Sequence, residues 1–238
     1  MNKFKNLPTH VSMIMDGNGR WAENKGLKRF EGHLEGVKRV RSCLEYAGKL
    51  GLKYLSLFAF SEENWGRPET EVNFLMDIML ESLVKELPDL QKNNVRLLIK
   101  GNIPRLASKL SDMIKYCEDE TAKNTGTTLV LFLSYSGKWD ILQASQKLVE
   151  EYLNKGTNDG INIDYKDLEK YLITSDIPNP DLIIRTSGEK RISNFLIWQG
   201  AYSEFYFTDV LWPDFKEDEF EKALISFDKR ERRYGKIK

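Results

Sequence analysis

One short segment, residues 15–21 (MDGNGRW), combines the residue types that phosphate chemistry requires. Two glycines within three residues let the backbone curl, so that successive N–H groups can face one anion. Asp16 could hold Mg²⁺, which bridges carboxylates to phosphates, and Arg20 adds a forked cationic donor. The alternative is an Asx-type turn with a solvated arginine. The glycine spacing fits neither a Walker A loop nor a dinucleotide-binding fingerprint.

Arg29 and His33 lie near the start of the first long predicted helix. A histidine at the amino end of a helix can donate to an anion that is bound there. His33 could equally cap its own helix or stay exposed, and Arg29 has the same two interpretations. The residue pattern alone leaves both possibilities open.

A second candidate segment, residues 60–68 (FSEENWGRP), follows the second predicted strand. It places Asn64, Trp65 and Arg67 between that strand and a helix that begins after Pro68. Loops that a rigid scaffold positions often bind and cover a substrate. The alternative is a connecting loop in which Trp65 packs as a hydrophobic staple.

A third candidate segment, residues 181–193 (DLIIRTSGEKRIS), ends an apolar run with Arg185 and continues through a short loop. Arg191 and Ser193 follow in that loop, and two guanidinium groups with a hydroxyl suit a diphosphate. The alternative is ordinary salt bridging at the surface. Glu204 stands among aromatic residues, so it is either paired structurally or a metal ligand.

The elements that must position these segments alternate along the chain. Short apolar, β-branched runs bounded by turn residues predict strands at 11–15, 54–60, 95–100, 128–133 and 182–185, with a weaker sixth at 194–198. Apolar residues recurring at three and four positions predict helices at 32–50, 69–92, 104–124, 138–154 and 218–232.

This alternation predicts an α/β fold with a mainly parallel sheet that is covered by helices on both faces. Ligands of such sheets bind at the carboxyl ends of the strands, which is where the candidate segments fall. No linker or repeat divides the chain, so residues 1–238 are predicted to form a single catalytic domain.

Composition excludes several classes of function. Lys plus Arg and Asp plus Glu each number 36, so the chain has no general attraction to nucleic acid or anionic lipid. Cys43 and Cys117 are too few for a disulfide framework or a zinc site, and two histidines rule out a His-rich metal centre. No targeting segment or bilayer-length apolar run is visible, so a cytoplasmic protein is expected.

Five blocks, in the same order along most of the chain, together resemble the cis-prenyltransferases, and among them the bacterial undecaprenyl diphosphate synthases. They read HVSMIMDGNGRWA, GHLEGV, FAFSEENWGRPETEV, DLIIRTSGEKRISNFLIWQ and AYSEFYFTDVLWPDF. The resemblance implies Mg²⁺-dependent cis condensation of isopentenyl diphosphate onto an allylic diphosphate such as farnesyl diphosphate. It also implies a homodimer, a six-stranded mostly parallel sheet, an apolar product tunnel, and delivery of the product to the membrane surface.

The resemblance assigns roles by matching position. Asp16 is implied as the metal-linked catalytic residue, Glu204 as a second metal-linked carboxylate, and Asn64 as the proton acceptor. A diphosphate oxygen or a water could accept the proton instead. The residues implied to surround the allylic diphosphate are Gly17, Asn18, Gly19, Arg20, Trp21, Arg29 and His33. Those implied for the loop over the substrate are Ser61, Glu62, Glu63, Trp65 and Arg67, and those for isopentenyl diphosphate are Arg185, Arg191, Ile192 and Ser193. Residues 233–235 (RYG) resemble a terminal element that can reach the partner subunit's site.

Two residues depart from the family pattern: Glu62 stands where many relatives have Ser or Thr, and Ser187 where many have Gly. Neither change removes a charged ligand. The alternatives are a noncatalytic subunit of the same fold, which would lack the aspartate at position 16, and a Mg²⁺-dependent phosphohydrolase, which would need no second substrate. The paired aspartates of trans-prenyltransferases are absent from the sequence.

Overall fold

The computed structural model describes residues 4–155 and 163–233. The strands in those ranges are β1 (His10–Ile14), β2 (Tyr54–Ser61), β3 (Arg96–Lys100), β4 (Thr128–Tyr135), β5 (Leu182–Arg185) and β6 (Glu204–Phe207). The helices are α1 (Asn18–Asn24), α2 (Arg29–Leu50), α3 (Glu69–Lys92), α4 (Ser108–Thr121), α5 (Gly137–Lys155), α6 (Tyr165–Glu169) and α7 (Glu217–Asp228). Short 3₁₀ helices span Glu62–Gly66, Ile103–Arg105 and Trp212–Asp214.

The six strands form one sheet in the order β3-β4-β2-β1-β5-β6. Every neighbouring pair is parallel, so the predicted mostly parallel sheet is confirmed and is entirely parallel. All five residues of β1 are buried, as expected for a central strand that is covered on both faces. The carboxyl ends of β1, β2 and β5 therefore lie side by side.

Two apolar clusters cover the two faces of the sheet. The larger one packs α2, α3, α4 and α7 against the strands, and its buried residues include Leu55, Leu57 and Leu97. The smaller one centres on Phe195, whose ring stacks on Phe58 with 4.4 Å between centroids. Burial on both faces explains why the strands contain so few polar residues.

The prediction of a sixth strand at 194–198 was wrong, and the sixth strand is β6. Asn194 and Leu196 have positive φ angles, 61° and 47°, which an extended strand cannot contain. The apolar pattern arose because Phe195 and Leu196 are buried in the smaller cluster. The apolar pattern of this segment correctly indicated that its side chains are buried, but it did not indicate the conformation of the backbone.

Two helix boundaries also differ from the prediction. Pro104 lies in the 3₁₀ turn Ile103–Arg105, and α4 begins only at Ser108. The last helix ends at Asp228 rather than near residue 232. The chain then turns back on the sheet, because Arg230 binds Glu204 at 2.6 Å and Arg232 pairs with Asp181.

One edge of the sheet, β3, is covered by side chains of α4. The backbone N–H of Leu97 donates to the Thr121 hydroxyl at 3.1 Å, and the N–H of Ile99 donates to the Glu118 carboxylate at 2.7 Å. These two donors face away from β4 and would otherwise be unpaired. The α4 side chains thus take the place of a further strand.

Within the part of the chain that the structure describes, no helix is both long enough and apolar enough to cross a bilayer.

A buried polar cluster lies inside the sheet around His10, which is 1% exposed. Its Nδ1 donates to the Pro178 carbonyl at 2.7 Å, so its Nε2 accepts from the Ser56 hydroxyl at 2.8 Å. Burial lowers the pKa of His10 to about 4, against the opposing influence of the Pro178 carbonyl and of Asp181. The native protein therefore holds this imidazole neutral.

We expect the free energy of unfolding to decrease by about 2 kcal/mol for His10 alone between pH 7 and pH 5. An unfolded histidine takes up a proton near pH 6.5, whereas His10 in the fold does so only near pH 4, so this stability is complete above pH 6.5 and is lost below it. Urea unfolding at the two pH values measures the difference.

The variant His10→Gln should lose this share of the pH dependence. His33, whose pKa is also lowered to about 4 by burial, keeps its own share. The control is Lys222→Gln on the exposed face of α7, which removes no group that titrates in this range. An unchanged pH dependence in His10→Gln would contradict the assignment.

Candidate active site

The three candidate segments meet at a polar cavity of about 580 Å³ at the carboxyl ends of β1, β2 and β5. The predicted site residues that line it are Asp16, Asn18, His33, Ser61, Glu63, Asn64, Arg67, Arg185 and Ser193. The parallel sheet brings them together, because equivalent ends of neighbouring strands share one edge.

Gly17 makes the turn from β1 into α1. Its φ of 103° lies in the left-handed region, and a Cβ at this position would sit 2.8 Å from Leu211 and 3.0 Å from Ser187. Both conformation and space therefore require glycine. The segment that the sequence suggested as a glycine-rich loop is a single left-handed residue followed directly by a short helix.

The centre of the cavity wall is an ion pair between Asp16 and Arg185. One guanidinium nitrogen of Arg185 donates to the Asp16 carboxylate at 2.7 Å, and the other donates to the Arg191 carbonyl at 2.6 Å and to the Ser193 hydroxyl at 2.7 Å. Arg185 is buried, whereas 31% of the Asp16 side chain is exposed. The sequence suggested the segment after β1 and the loop after β5 as separate sites, but the Arg185 side chain joins them.

The carboxylate of Asp16 is held in its ionised form. Burial by itself would raise its pKa, but the hydrogen bond and charge of Arg185, aided by Ser187 and Arg20, hold the pKa below its ordinary range. An ionised carboxylate that is partly open to the cavity can still take another cation.

These residues fit a magnesium ion that is shared with a substrate. Among the described residues, no group of three or more His, Cys, Asp and Glu side chains is placed to hold a metal. Mg²⁺ does not need such a group, because it commonly uses one or two carboxylates, substrate phosphates and water. Asp16 supplies one carboxylate at the cavity wall.

Thr186 and Trp212 fix the backbone of Asp16, and the sequence analysis had not singled out either of them. The Thr186 hydroxyl accepts from the Asp16 N–H at 2.9 Å and donates to the Asp16 carbonyl at 2.7 Å. The backbone N–H of Trp212 donates to the same carbonyl at 3.0 Å. A threonine after a strand has no distinctive sequence signal, so only the fold identifies its role.

The segment after β2 turns some of its residues into the cavity. The Asn64 side-chain oxygen accepts from the Ser61 N–H at 3.0 Å, which closes the 3₁₀ turn. The Asn194 amide donates to the Glu63 carboxylate at 2.7 Å and so links this segment to the loop after β5. Burial would raise the pKa of Glu63, but this hydrogen bond lowers it overall.

Two predicted residues of the same segment point elsewhere. Glu62 pairs with Arg105 and accepts from the Ser134 hydroxyl at 2.6 Å. The Trp65 indole donates to the same hydroxyl at 2.8 Å and packs edge-on against Phe60. Neither side chain lines the cavity, so both act here as anchors of the segment.

Three further predicted arginines lie around the rim and pair with the protein itself. Arg20 donates to Ser187 at 2.5 Å, Arg29 pairs with Glu23 at 2.6 Å, and Arg191 pairs with Glu189. Their side chains are between 45% and 60% exposed, so they can move toward an anion. Gly19 lies under Arg29, Trp21 is buried, and Ile192 is half-buried.

His33 stands at the junction of the polar cavity and a second, apolar one. Burial lowers its pKa to about 4, and the charges of Arg67 and Arg29 act in the same direction against Glu71. The imidazole is therefore neutral near pH 7, and it can donate a hydrogen bond without carrying a charge.

The structure does not bring Glu204 to Asp16. Glu204 begins β6 and lies beside Leu182, the first residue of β5. Ile14 ends β1 and lies beside Arg185, the last residue of β5. Arg185 is about 10 Å further along β5 than Leu182, at roughly 3.3 Å per residue. The Glu204 carboxylate pairs with Arg230. Within one chain the Glu204 carboxylate thus has Arg230 as its partner, and its predicted metal role stays a prediction. The predicted terminal element at 233–235 extends outside the described residues beyond Arg233.

The apolar cavity has a volume of about 570 Å³ and runs between α2, α3 and the sheet. It shares Met15, Asn18, His33, Ala59 and Leu75 with the polar cavity, so the two adjoin. The α3 residues that the sequence suggested as a tunnel wall, namely Leu75, Met76, Met79 and Leu83, all line it.

Comparisons with known proteins identify the family. Residues 14–235 match the Prenyltransf family model, which is described as undecaprenyl diphosphate synthase. The chain is 48% identical over 229 residues to the Coxiella burnetii ditrans,polycis-undecaprenyl-diphosphate synthase ((2E,6E)-farnesyl-diphosphate specific), with 96% of each chain covered. It is 49% identical over 230 residues to the Neisseria gonorrhoeae isoprenyl transferase, covering 97% of this chain and 90% of that one.

A solved structure agrees with this result. The lavandulyl diphosphate synthase of Lavandula x intermedia, in complex with dimethylallyl diphosphate, superposes with a TM-score of 0.92 and 35% identity, covering 97% of this chain and 99% of that one. The predicted fold and the predicted family are both confirmed. The chain is a prenyltransferase and belongs to the undecaprenyl diphosphate synthase family of cis-prenyltransferases.

Proposed function

We propose that this chain condenses isopentenyl diphosphate repeatedly onto farnesyl diphosphate and forms undecaprenyl diphosphate. The observation that carries the proposal is the junction of the two cavities: a polar one around Asp16 and Arg185 adjoins an apolar one along α3. A substrate with a diphosphate head and a long hydrocarbon tail needs both. The farnesyl specificity printed for the Coxiella burnetii relative suggests the primer.

Each cycle breaks the allylic carbon–oxygen bond, and the diphosphate leaves with the electron pair. The terminal alkene carbon of isopentenyl diphosphate bonds to the allylic carbon, which leaves positive charge on the inner alkene carbon. The methylene next to that inner carbon then loses a proton, and the new double bond forms between the two. Negative charge develops on the leaving diphosphate. Preorganised cations and N–H groups lower the barrier most effectively where charge develops.

Asp16 would hold Mg²⁺, and the diphosphate of a substrate would complete its coordination. When bound, the ion would neutralise charge on the leaving group. Arg185 orients the Asp16 carboxylate through its 2.7 Å hydrogen bond and stays fixed in the wall. Arg20 and Arg191 can leave Ser187 and Glu189 for the oxygens of a diphosphate, because both side chains are largely exposed.

The identity of the proton acceptor follows from basicity. The side-chain oxygen of Asn64 already accepts the Ser61 N–H, and an amide is a weak base. A diphosphate oxygen is more basic, and the diphosphate that has just left the allylic carbon would be close to the reacting carbons. We therefore place Asn64 as the residue that closes the 3₁₀ turn at the cavity wall, and the diphosphate as the proton acceptor.

The growing chain is expected to stay inside the apolar cavity. Each isoprene unit adds five apolar carbons, so exposing one unit to water costs roughly 4 kcal/mol at about 0.8 kcal/mol per carbon. The finished product would then pass to a membrane surface, with the protein remaining in the cytoplasm.

The family resemblance implies a homodimer. Leu142, Val149 and Leu153 of α5 are exposed apolar side chains that a second copy of the chain could cover. In such a dimer Glu204 keeps its predicted metal role only if its carboxylate, which is paired with Arg230, is also placed beside the ion. Within one chain its contact with Arg230 indicates a structural role.

The test supplies farnesyl diphosphate and labelled isopentenyl diphosphate with Mg²⁺, and follows label into a butanol-extractable polymer. A phosphohydrolase would release phosphate or diphosphate from farnesyl diphosphate alone, and a noncatalytic subunit would do neither. Product chromatography identifies the chain length. Either alternative outcome would refute the proposal.

Asp16→Asn should lower kcat by roughly 10²–10³, because it removes the charge that holds the metal while keeping the hydrogen bond from Arg185. Steady-state kinetics and the free energy of unfolding should be measured together, and we expect the latter to decrease because the buried Arg185 loses its charged partner while keeping its hydrogen bonds. The control is Asp112→Asn, an exposed aspartate of α4. Normal turnover by a folded Asp16→Asn protein would remove Asp16 from the mechanism.

Arg185→Ala and Arg191→Ala should differ in kind. Arg185→Ala should lower kcat at least tenfold and raise KM for isopentenyl diphosphate, and it should reduce stability by about 2 kcal/mol because it removes the hydrogen-bonded partner of Asp16. Arg191→Ala should mainly raise KM, since its guanidinium is 60% exposed and does not contact Asp16. Equal kcat values for the two variants would contradict the positioning role of Arg185.

A further inference from the structure

The apolar cavity is bounded by α2 on one side and α3 on the other, and these helices contact each other sparsely along its length. Near the active-site end they meet through Phe30 and Phe74, whose rings lie 5.2 Å apart edge to face. Further along they meet through Arg41 of α2 and two carboxylates of α3. An aromatic bridge and a charged bridge thus join the two helices at two points, and the cavity continues past the charged bridge.

The charged bridge consists of Arg41 on α2 and of Glu86 and Asp89 on α3. Arg41 donates to one oxygen of Glu86 from two nitrogens, at 2.9 and 2.7 Å, and it also pairs with Asp89. All three residues line the cavity. They lie at its distal part, because Glu86 follows Leu75 by eleven positions, or about 16 Å at 1.5 Å per residue.

Beyond the bridge the lining becomes mixed. The residues near Asp16 and along α3 are mainly apolar, whereas the polar residues Asn93, Asn94 and Thr127 join the apolar Leu90 and Val95 at the far end. A hydrocarbon chain that grows from the active site thus meets, in order, an apolar passage, a charged bridge and a partly polar rim. Passing the bridge would require desolvating the charges or exposing hydrocarbon to water.

From this arrangement we infer that the Arg41–Glu86–Asp89 bridge is a latch that closes the distal end of the product cavity and limits the length of the polyprenyl chain. The inference rests on the proposed function. The three side chains are partly exposed, so their ion pairs contribute little to the stability of the fold. Exposing each further isoprene unit to water is unfavourable, so closing the passage decides where elongation stops.

The test compares Arg41→Gln and Glu86→Gln with the wild-type protein and with Lys38→Gln. Lys38 lies one turn before Arg41 on α2 and pairs with Glu35 at 2.7 Å, but it does not line the cavity. Products made from farnesyl diphosphate and labelled isopentenyl diphosphate are resolved by reverse-phase chromatography. Both latch variants should give products at least one isoprene unit longer and more broadly distributed, and Lys38→Gln should match the wild type.

A charge-reversed set, Arg41→Glu with Glu86→Arg and Asp89→Arg, should restore the wild-type distribution, because it rebuilds all three members of the bridge with opposite polarity. Unchanged or shorter products from the latch variants, or the same lengthening in Lys38→Gln, would overturn the inference. Lack of rescue by the reversed set would do so as well.

A binding measurement separates this inference from the proposed function. Affinities for a series of polyprenols of increasing length require no catalysis. The Arg41→Gln variant should bind prenols longer than the wild-type limit at least tenfold more tightly than the wild type does, and equal affinities would overturn the latch. If the wild-type protein made no polymer, the proposed function would fail on its own assay, and the prenol series would still decide whether the bridge closes the cavity.

Discussion

The arrangement of the site depends on one constraint, the need to satisfy the buried guanidinium of Arg185. A charge at this depth must be paired and hydrogen-bonded, and its two terminal nitrogens reach three groups in two parts of the chain. They hold the carboxylate that follows β1 and the loop that carries Arg191 and Ser193. The site is therefore assembled before any substrate arrives, which is the condition for effective electrostatic stabilisation.

The sheet order places this pair at the centre of the molecule. Because β1 lies between β2 and β5, the residues after all three strands converge on one cavity, and the apolar cavity opens from the same place. Thr186 adds rigidity by hydrogen-bonding both backbone groups of Asp16. One edge of the sheet thus carries a polar and an apolar cavity side by side, as a substrate with a diphosphate head and a hydrocarbon tail requires.

Sequence patterns predicted most of this because strand ends and helix faces are local properties. Asp16, Arg185 and the α3 wall could be identified from neighbouring residues alone. The pairing of Asp16 with Arg185 could not, since 169 positions separate them and only the strand order joins them. Glu62 and Trp65 show the same limit: their segment was identified, but the direction of each side chain depends on Arg105 and Ser134 from distant elements. The strand expected at 194–198 failed because buried apolar residues also occur in tight turns with positive φ.

The covering of β3 by Thr121 and Glu118 has a consequence for self-association. Growth of an open-ended fibre by strand addition needs two free edges on every molecule, one to receive and one to offer. Here one edge is occupied by side chains of its own helix. Even when a strand of another molecule pairs with the outer edge of β6, the covered β3 edge cannot pair with a further molecule. Repeated strand addition therefore stops, and the sheet cannot act as a template for fibrous aggregation.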